Sequence, residues 1–138
     1  MKSAMVLGAT GLVGRTLVNM LLQDRRYNEV TCLVRKPLSS SVFNDPHNRL
    51  KPVVIDFDNL QDYQGYFSVN HVYCCLGTTL KKAGSKQAFR RVDFEYVHVS
   101  AQLTRAQRAD SFVWISSVGA DAKSSNFYLR VKGELENA

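Results

Sequence analysis

The sequence contains few cysteines and no long hydrophobic run. The three cysteines are an odd number and lie inside strand-like segments, so we expect reduced core residues and neither a disulfide framework nor a metal site. The three histidines have no ligand spacing, and no apolar run approaches the roughly 18 residues of a membrane-spanning helix. Gly8 interrupts the apolar stretch near the N-terminus, which disfavours a signal peptide. These absences predict a cytoplasmic protein with no metal ion and no membrane segment.

Motifs that are typical of nucleic-acid binding are also missing. The chain has no RNP-like motif of aromatic and basic residues, no zinc-finger spacing and no basic arm. Its net charge of +6 fits either an anionic partner, such as a phosphorylated small molecule, or an ordinary solvated basic surface. Nucleic acid is therefore a minor alternative, and we expect no nucleic-acid partner.

Strand-like and helix-like segments alternate along the 138 residues, which suit one domain over residues 1–138. Short apolar runs predict five strands, at 2–7, 30–34, 53–55, 72–76 and 112–115. Apolar residues at helical spacing predict one face of a first helix, formed by Leu12, Val13, Thr16, Leu17, Met20 and Leu21. A second helix is predicted from Val92 to Ala106, and a last one begins near Asn126 or Phe127. Residues 36–52 are predicted to form a loop.

This alternation predicts an α/β fold. Strands that are apolar throughout and are separated by amphipathic helices are buried on both faces of a parallel sheet. Right-handed crossovers then give a Rossmann doubly wound sheet with the strand order 3-2-1-4-5. Ligands of such sheets bind outside the carboxyl ends of the strands, where the order reverses between the first and fourth strands.

Three glycines follow the first strand at this edge, in the stretch GATGLVG. Gly8 permits a sharp exit from the strand, Gly11 permits the close approach of a pyrophosphate, and Gly14 permits tight packing of the first helix. The unpaired N–H groups and the dipole at the start of that helix favour an anion. A preceding strand and a following amphipathic helix make this pattern a predicted dinucleotide site.

The end of the second strand distinguishes between the dinucleotides. An NAD site usually has an acidic residue there, whereas this chain has Arg35 and Lys36. A guanidinium can bind a 2′-phosphate through two parallel hydrogen bonds, so NADP(H) is favoured over NAD(H), although such a pair also suits a strand end at the surface. Asp56, after the third strand, could accept a hydrogen bond from the adenine amino group or cap the next turn.

A serine pair, a tyrosine and a lysine follow the fifth strand. Ser116 and Ser117 come just after it, and Tyr128 and Lys132 are four residues apart on one face of the last helix. A nearby ammonium makes a phenol a better proton donor near neutral pH, and a serine hydroxyl could hold a substrate carbonyl. The set predicts oxidoreductase chemistry on a carbonyl or alcohol, with either serine as the site serine.

These motifs together resemble the short-chain dehydrogenase/reductase superfamily, of the atypical or extended kind. The stretches CCLGTTLKKAGSKQAFRRVDFEYV and SSVGADAKSSNFYLRVKGELE are similar, more narrowly, to the HIV Tat-interacting-protein family and its bacterial relatives. The resemblance implies a Rossmann fold that binds NADP(H). By position it implies that the pyrophosphate contacts Thr10, Gly11, Leu12 and Val13, and that the 2′-phosphate contacts Arg35 and Lys36. The wall of the site after the fourth strand would be formed by Leu76, Gly77 and Thr78. The nicotinamide ribose would contact Tyr128 and Lys132.

The chain departs from the family pattern in two ways. Cys74-Cys75-Leu76-Gly77 stands where common members have Asn-Asn-Ala-Gly, so the usual proton relay stays open. The chain also ends at Ala138, inside the last helix, so we expect a C-terminally truncated domain that lacks part of its substrate pocket. Two functions remain: an NADP-dependent oxidoreductase with an unknown carbonyl or alcohol substrate, and an NADPH-sensing regulatory module that binds a protein partner without turnover.

Overall fold

The computed structural model describes residues 1–39 and 41–138, and its centre is a parallel sheet of five strands. The strands are β1 (Lys2–Leu7), β2 (Tyr27–Val34), β3 (Leu50–Val54), β4 (His71–Cys74) and β5 (Ser111–Trp114). Their order is β3-β2-β1-β4-β5, and every neighbouring pair is parallel. The predicted Rossmann order is therefore confirmed.

Helical segments form the connections between these strands. They are α1 (Leu12–Gln23), a 3₁₀ segment (Phe57–Phe67), α2 (Leu80–Ala83), α3 (Lys86–Arg90), a π-helical turn (Arg91–Tyr96), α4 (Val97–Ala106) and α5 (Phe127–Asn137). Asn126 caps α5, because its side-chain oxygen accepts a hydrogen bond from the Leu129 amide at 3.1 Å. The predicted start of the last helix is therefore confirmed. Within the described part of the chain, no helix is long and apolar enough to cross a membrane.

The sheet separates two apolar layers, and β1 contributes side chains to both. Met5 and Leu7 pack into the layer that contains α4, α5 and the 3₁₀ segment, whereas Ala4 and Val6 pack into the layer that contains α1. All four side chains have no exposed surface. Burial on both faces is the physical reason why the strand is apolar throughout.

The buried face of α1 differs from the predicted one. Its buried residues are Gly14, Val18, Leu21 and Leu22, while Leu12 is 87% exposed. Position 14 faces the preceding loop and packs so closely on the Gly8 carbonyl that a Cβ would overlap its oxygen. That constraint fixes the rotation of the helix and leaves Leu12, Val13 and Met20 facing outward.

Several element boundaries also differ from expectation. β2 begins at Tyr27, three residues before its predicted start, and β4 ends at Cys74, two residues before its predicted end. The predicted loop at 36–52, whose residue 40 lies outside the described residues, ends early because β3 begins at Leu50 and includes Pro52. Proline is tolerated there because β3 is an edge strand that pairs only with β2. The helix predicted from Val92 to Ala106 is instead the end of a longer helical run, α3 to α4, that contains the π-helical turn.

The cysteines follow the prediction in part. Cys32 and Cys74 are buried and free, and burial raises the pKa of each thiol to about 12. Cys75 is also free but only half-buried, because it lies one residue beyond the end of β4, and desolvation raises its pKa as well. Among the residues that the structure describes, no group of three or more His, Cys, Asp or Glu side chains could hold a metal ion.

Candidate dinucleotide site

The strand register brings the predicted motifs to one edge of the sheet. Leu7 of β1 is aligned with Leu33 of β2 and with Cys74 of β4, and Cys74 is aligned with Trp114 of β5. The segments that follow these strands therefore start side by side at the carboxyl edge. They are the glycine turn, the Arg35–Lys36 pair, the loop after β4 and the loop that contains the serine pair.

Two of the three glycines are required by the fold. Gly8 has a φ of +79°, and a Cβ there would lie 2.5 Å from the Cys75 carbonyl carbon and 2.7 Å from the Leu76 amide nitrogen. Gly14 faces the Gly8 carbonyl with no room for a side chain. The turn is therefore pressed between the exit of β4 and the first turn of α1, and glycine is needed at both positions.

The middle glycine has a different environment. A Cβ at Gly11 would have one neighbour within 4 Å, the Gly8 carbonyl oxygen at 3.8 Å. Gly11 is the N-cap of α1 and offers no side-chain hydrogen bond to the helix, so the first N–H groups of α1 are not capped. The flanking Thr10, Leu12 and Val13 are exposed. The arrangement leaves an open cradle at a helix N-terminus, which fits a pyrophosphate group.

Basic side chains occur on the segments at this edge of the sheet. Arg35 and Lys36 are both exposed and come directly after β2. Sequence reasoning did not single out Arg15, which follows Gly14 and whose guanidinium donates to the Thr10 carbonyl at 3.3 Å. Arg15 could have been predicted from its position in the first turn of α1, because a cation there lies beside the glycine-rich loop.

Asp56 caps the segment that follows β3. One carboxylate oxygen accepts from the Asp58 amide at 3.0 Å, and the other accepts from the Asn59 side-chain amide at 2.8 Å. The structure therefore provides the capping role that was one of the two predicted alternatives. Asp56 is exposed and follows the end of β3, at the same carboxyl edge of the sheet as the cradle.

The loop after β4 is held by a residue that sequence reasoning missed. The amide of Thr78 donates to Oδ2 of Asp93 at 3.1 Å, and Asp93 lies in the π-helical turn with 1% of its surface exposed. Leu76 is half-buried beside Gly8, and Gly77 faces the other oxygen of the same carboxylate. An isolated aspartate in an otherwise apolar repeat (Phe89, Asp93, Val97) was the only signal in the sequence.

Lys132 pairs with that same aspartate. Its ammonium lies 2.7 Å from Oδ1 of Asp93, and the two side chains are 4% and 1% exposed. The Lys132 ammonium is also 5.6 Å from the centre of the Tyr128 ring. The predicted pair on one face of α5 is therefore present, but the positive charge that was expected to act on Tyr128 is compensated by a buried carboxylate.

Aromatic packing fixes the start of α5. Phe89, which is fully buried, lies 5.6 Å from the Phe127 ring and 5.5 Å from the Tyr128 ring, centre to centre. Further along the helix, Arg90 and Glu134 form an ion pair at 2.6 Å. Tyr128 itself is 37% exposed, so part of the residue remains accessible beside Phe89.

The two serines do not contact the tyrosine through hydrogen bonds. The Ser116 hydroxyl donates to Glu136 at 3.0 Å, and the Ser117 hydroxyl donates to the carbonyl of the next residue, Val118, at 3.2 Å. The loop that follows them crosses α5 at Gly133, where a Cβ would overlap the backbone of Asp121 and Ala122. This second helical glycine was also missed, although it lies directly after Lys132.

Comparison with known proteins agrees with this geometry. The chain matches the model of a family described as NAD(P)H-binding over residues 8–137. It is 40% identical over 136 residues to Protein HTATIP2 of Rattus norvegicus, an alignment that covers 98% of this chain and 55% of that protein. It is 33% identical over 139 residues to Protein FMP52-1, mitochondrial, of Scheffersomyces stipitis, which covers 97% of this chain and 58% of that protein. The chain thus spans little more than half the length of these relatives.

Solved structures give the same fold. A short-chain dehydrogenase/reductase family oxidoreductase from Burkholderia thailandensis superposes with a TM-score of 0.73 at 24% identity, covering 99% of this chain and 60% of that one. The likeness to this structure confirms the Rossmann fold, and the 40% identity to Protein HTATIP2 confirms the resemblance to the Tat-interacting-protein family that the motifs indicated.

One expectation is wrong. The sequence analysis predicted a cytoplasmic protein, but the matched FMP52 proteins of Scheffersomyces stipitis, Debaryomyces hansenii and Lodderomyces elongisporus are all named as mitochondrial. The apolar pattern of the given residues does not bear on this point, because a mitochondrial location requires neither a secretory signal peptide nor a membrane-spanning helix. The family match over residues 8–137, together with the strand order and the glycine cradle, establishes the broader identity: the chain belongs to the NAD(P)H-binding family.

Proposed function

We propose that this chain is the NADP(H)-binding part of an oxidoreductase of the short-chain dehydrogenase/reductase type that acts on a carbonyl or alcohol. The observation that carries the proposal is a continuous series of contacts across the carboxyl edge. Gly8 packs on Cys75 and Leu76, Thr78 binds Asp93, and Asp93 binds Lys132, one helical turn from Tyr128. The anion cradle and the Tyr–Lys pair are therefore linked by direct contacts at this edge of the sheet.

Each group of residues has a role in this proposal. The first N–H groups of α1 bind the pyrophosphate, and the loop at Leu76, Gly77 and Thr78 forms a wall beside it. The bound nicotinamide ring would supply or accept the hydride. Lys132 binds the ribose hydroxyls, and the Tyr128 hydroxyl gives a proton to the substrate oxygen or takes one from it.

The nucleotide preference depends on Arg35. Arg35→Ala is expected to weaken NADPH binding by roughly 1.5–3 kcal/mol, the value of a hydrogen bond to a charged group, and to change NADH binding much less. Lys36 compensates partly as a point charge, so the double substitution has the larger effect. Calorimetric titration with both nucleotides measures the ratio of the two affinities. General damage to the fold lowers both affinities alike and leaves this ratio unchanged. Equal weakening of both would make Arg35 a structural residue and remove the support for NADP.

The proton-transfer role depends on Tyr128. In the full-length protein, Tyr128→Phe is expected to abolish NADPH-dependent reduction across a panel of carbonyl compounds while leaving nucleotide affinity within about threefold. Tyr66→Phe is the matched control, because Tyr66 is similarly exposed but lies in the 3₁₀ segment. Unchanged turnover in Tyr128→Phe would show that another group transfers the proton.

A second function is favoured by the hydrogen bonds of the serine pair. Ser116 donates to Glu136 and Ser117 to a backbone carbonyl, so neither hydroxyl is directed to Tyr128 by a hydrogen bond. This arrangement suits a module that senses NADPH and binds a protein partner without turnover. Affinity capture of partners with and without NADPH separates the two functions, because capture that ignores the nucleotide counts against a sensor.

A further inference from the structure

Asp93 and Lys132 form an ion pair in the interior of the molecule. Their residues retain 1% and 3% of their exposed surface, and Oδ1 of Asp93 lies 2.7 Å from the Lys132 ammonium. Burial of two charges costs several kcal/mol per ion, and an apolar pair of similar volume is often as stable or more stable. Packing alone therefore does not explain why these two residues are charged.

The same carboxylate also holds the loop after β4. Its second oxygen, Oδ2, accepts the Thr78 amide at 3.1 Å, and a Cβ at Gly77 would lie 3.6 Å from Oδ1. The two oxygens of one side chain thus contact two separate parts of the proposed nucleotide site: the wall after β4 and the lysine of α5.

The local backbone places the aspartate in that position. Phe89, Asp93 and Val97 are all buried, with 0%, 1% and 3% of their surfaces exposed, so Asp93 occupies a core position in an otherwise apolar row. The π-helical turn Arg91–Tyr96 contains it, and single π-helical turns inside α-helices are frequent at functional sites. The row faces the start of α5 through the contacts of Phe89 with Phe127 and Tyr128.

We propose that Asp93 is a positioning residue for the dinucleotide, which acts through Lys132 and the Gly77–Thr78 wall. The inference rests on the proposed function of this site. An ammonium carries three N–H donors, so one N–H can face Asp93 while the others remain for the ribose hydroxyls. Asp93 holds the ammonium and the wall in place before the nucleotide arrives, which lowers the cost of ordering both on binding.

The test compares two carboxylates that connect the same helical segments. Asp93→Asn keeps an oxygen that can accept from the Thr78 amide but removes the charge that holds Lys132. Glu134→Gln is the matched control, because Glu134 pairs with Arg90 at 2.6 Å across the same helices without touching Thr78 or Lys132. We expect Asp93→Asn to weaken NADPH affinity at least tenfold in calorimetric titration, and Glu134→Gln to change it less than threefold. Equal effects in the two variants, or an unchanged affinity in Asp93→Asn, would overturn the inference.

A double substitution keeps the test valid if Asp93→Asn does not fold. Lys132→Met combined with Asp93→Asn leaves no unpaired buried charge. Asparagine at position 93 keeps the acceptor for the Thr78 amide, so this comparison isolates the effect that the Asp93 charge has through Lys132. The double variant should therefore bind NADPH within threefold of Lys132→Met alone. A further loss of threefold or more would show that the Asp93 charge acts independently of the lysine and would overturn the inference. Failure of the wild-type protein to bind NADPH and NADH would instead refute the proposed function itself.

Discussion

Two glycines of the turn, Gly14 and Gly11, differ in whether the structure has room for an added methyl group. At Gly14 the added carbon would overlap the Gly8 carbonyl oxygen, whereas at Gly11 the nearest heavy atom would be 3.8 Å away. Gly14→Ala is therefore expected to lower the free energy of unfolding by about 1–3 kcal/mol, as overpacking does. Gly11→Ala should cost less than about 1 kcal/mol, the value of a poorer N-cap, yet should weaken NADPH binding because its methyl enters the cradle. Denaturant unfolding and calorimetric titration measure the two quantities.

The pair of variants has an internal control. Both positions change from glycine to alanine within the same turn, so effects on the unfolded chain are similar and the difference reports the folded structure. An equal loss of stability at both positions would contradict the open cradle at Gly11. Unchanged nucleotide affinity in Gly11→Ala would contradict the placement of the pyrophosphate.

Individual site residues differed in how far the sequence revealed them. The glycines, Arg35, Tyr128 and Lys132 were predicted as candidates because they stand at fixed positions relative to strands, and strand ends share one edge of the sheet. Asp93 was not predicted, because its partner is Lys132, 39 residues later in the sequence. A contact between distant positions has no local pattern, so only the folded arrangement reveals it.

At the level of elements, the attachment of α5 depends on Gly133. This residue lies inside the helix, and a Cβ there would overlap the backbone of Asp121 and Ala122. Helix propensity alone predicts that Gly133→Ala stabilises the protein by about 1 kcal/mol. We expect the opposite sign, a loss of about 1–3 kcal/mol, because the crossing loop must move. Denaturant unfolding gives the sign directly.

Gly65→Ala is the control for this substitution. No heavy atom lies within 4 Å of a Cβ at that position, so its stability should change little. If Gly133→Ala were more stable than the wild type, the loop would not cross α5 as closely as the contacts indicate. The packing of the serine loop on the helix that carries Tyr128 and Lys132 would then be contradicted.

Element types were predicted better than element boundaries and faces. The five strands were found from apolar runs, since burial on both faces leaves a continuous signal. The outward rotation of α1 was not predicted, because α1 packs Gly14 closely against the Gly8 carbonyl and thereby leaves Leu12 and Met20 of the apolar repeat exposed. The π-helical turn was missed because it is a single segment of six residues inside a longer helical run, too short to give a periodicity of its own.

At the scale of the whole molecule, we infer that the carboxyl edge of the sheet binds a dinucleotide. The strand order and register place the glycine cradle, the β4 loop and the Tyr–Lys helix at that edge, linked through Asp93 and Lys132. The matched relatives are nearly twice as long as the chain, so the substrate side of the site is a proposal for the whole protein. The nucleotide side can be tested on this chain alone.

The most direct measurement is an NMR titration of the backbone amides with NADPH. We expect the largest shifts at the amides of Gly11, Leu12 and Val13, which would bind the pyrophosphate, and at Gly77 and Thr78, which would form the wall. The amides at the opposite, amino-terminal edge of the sheet, such as Tyr27 and His71, should change little. Shifts confined to that opposite edge, or no saturable shifts at all, would contradict the claim.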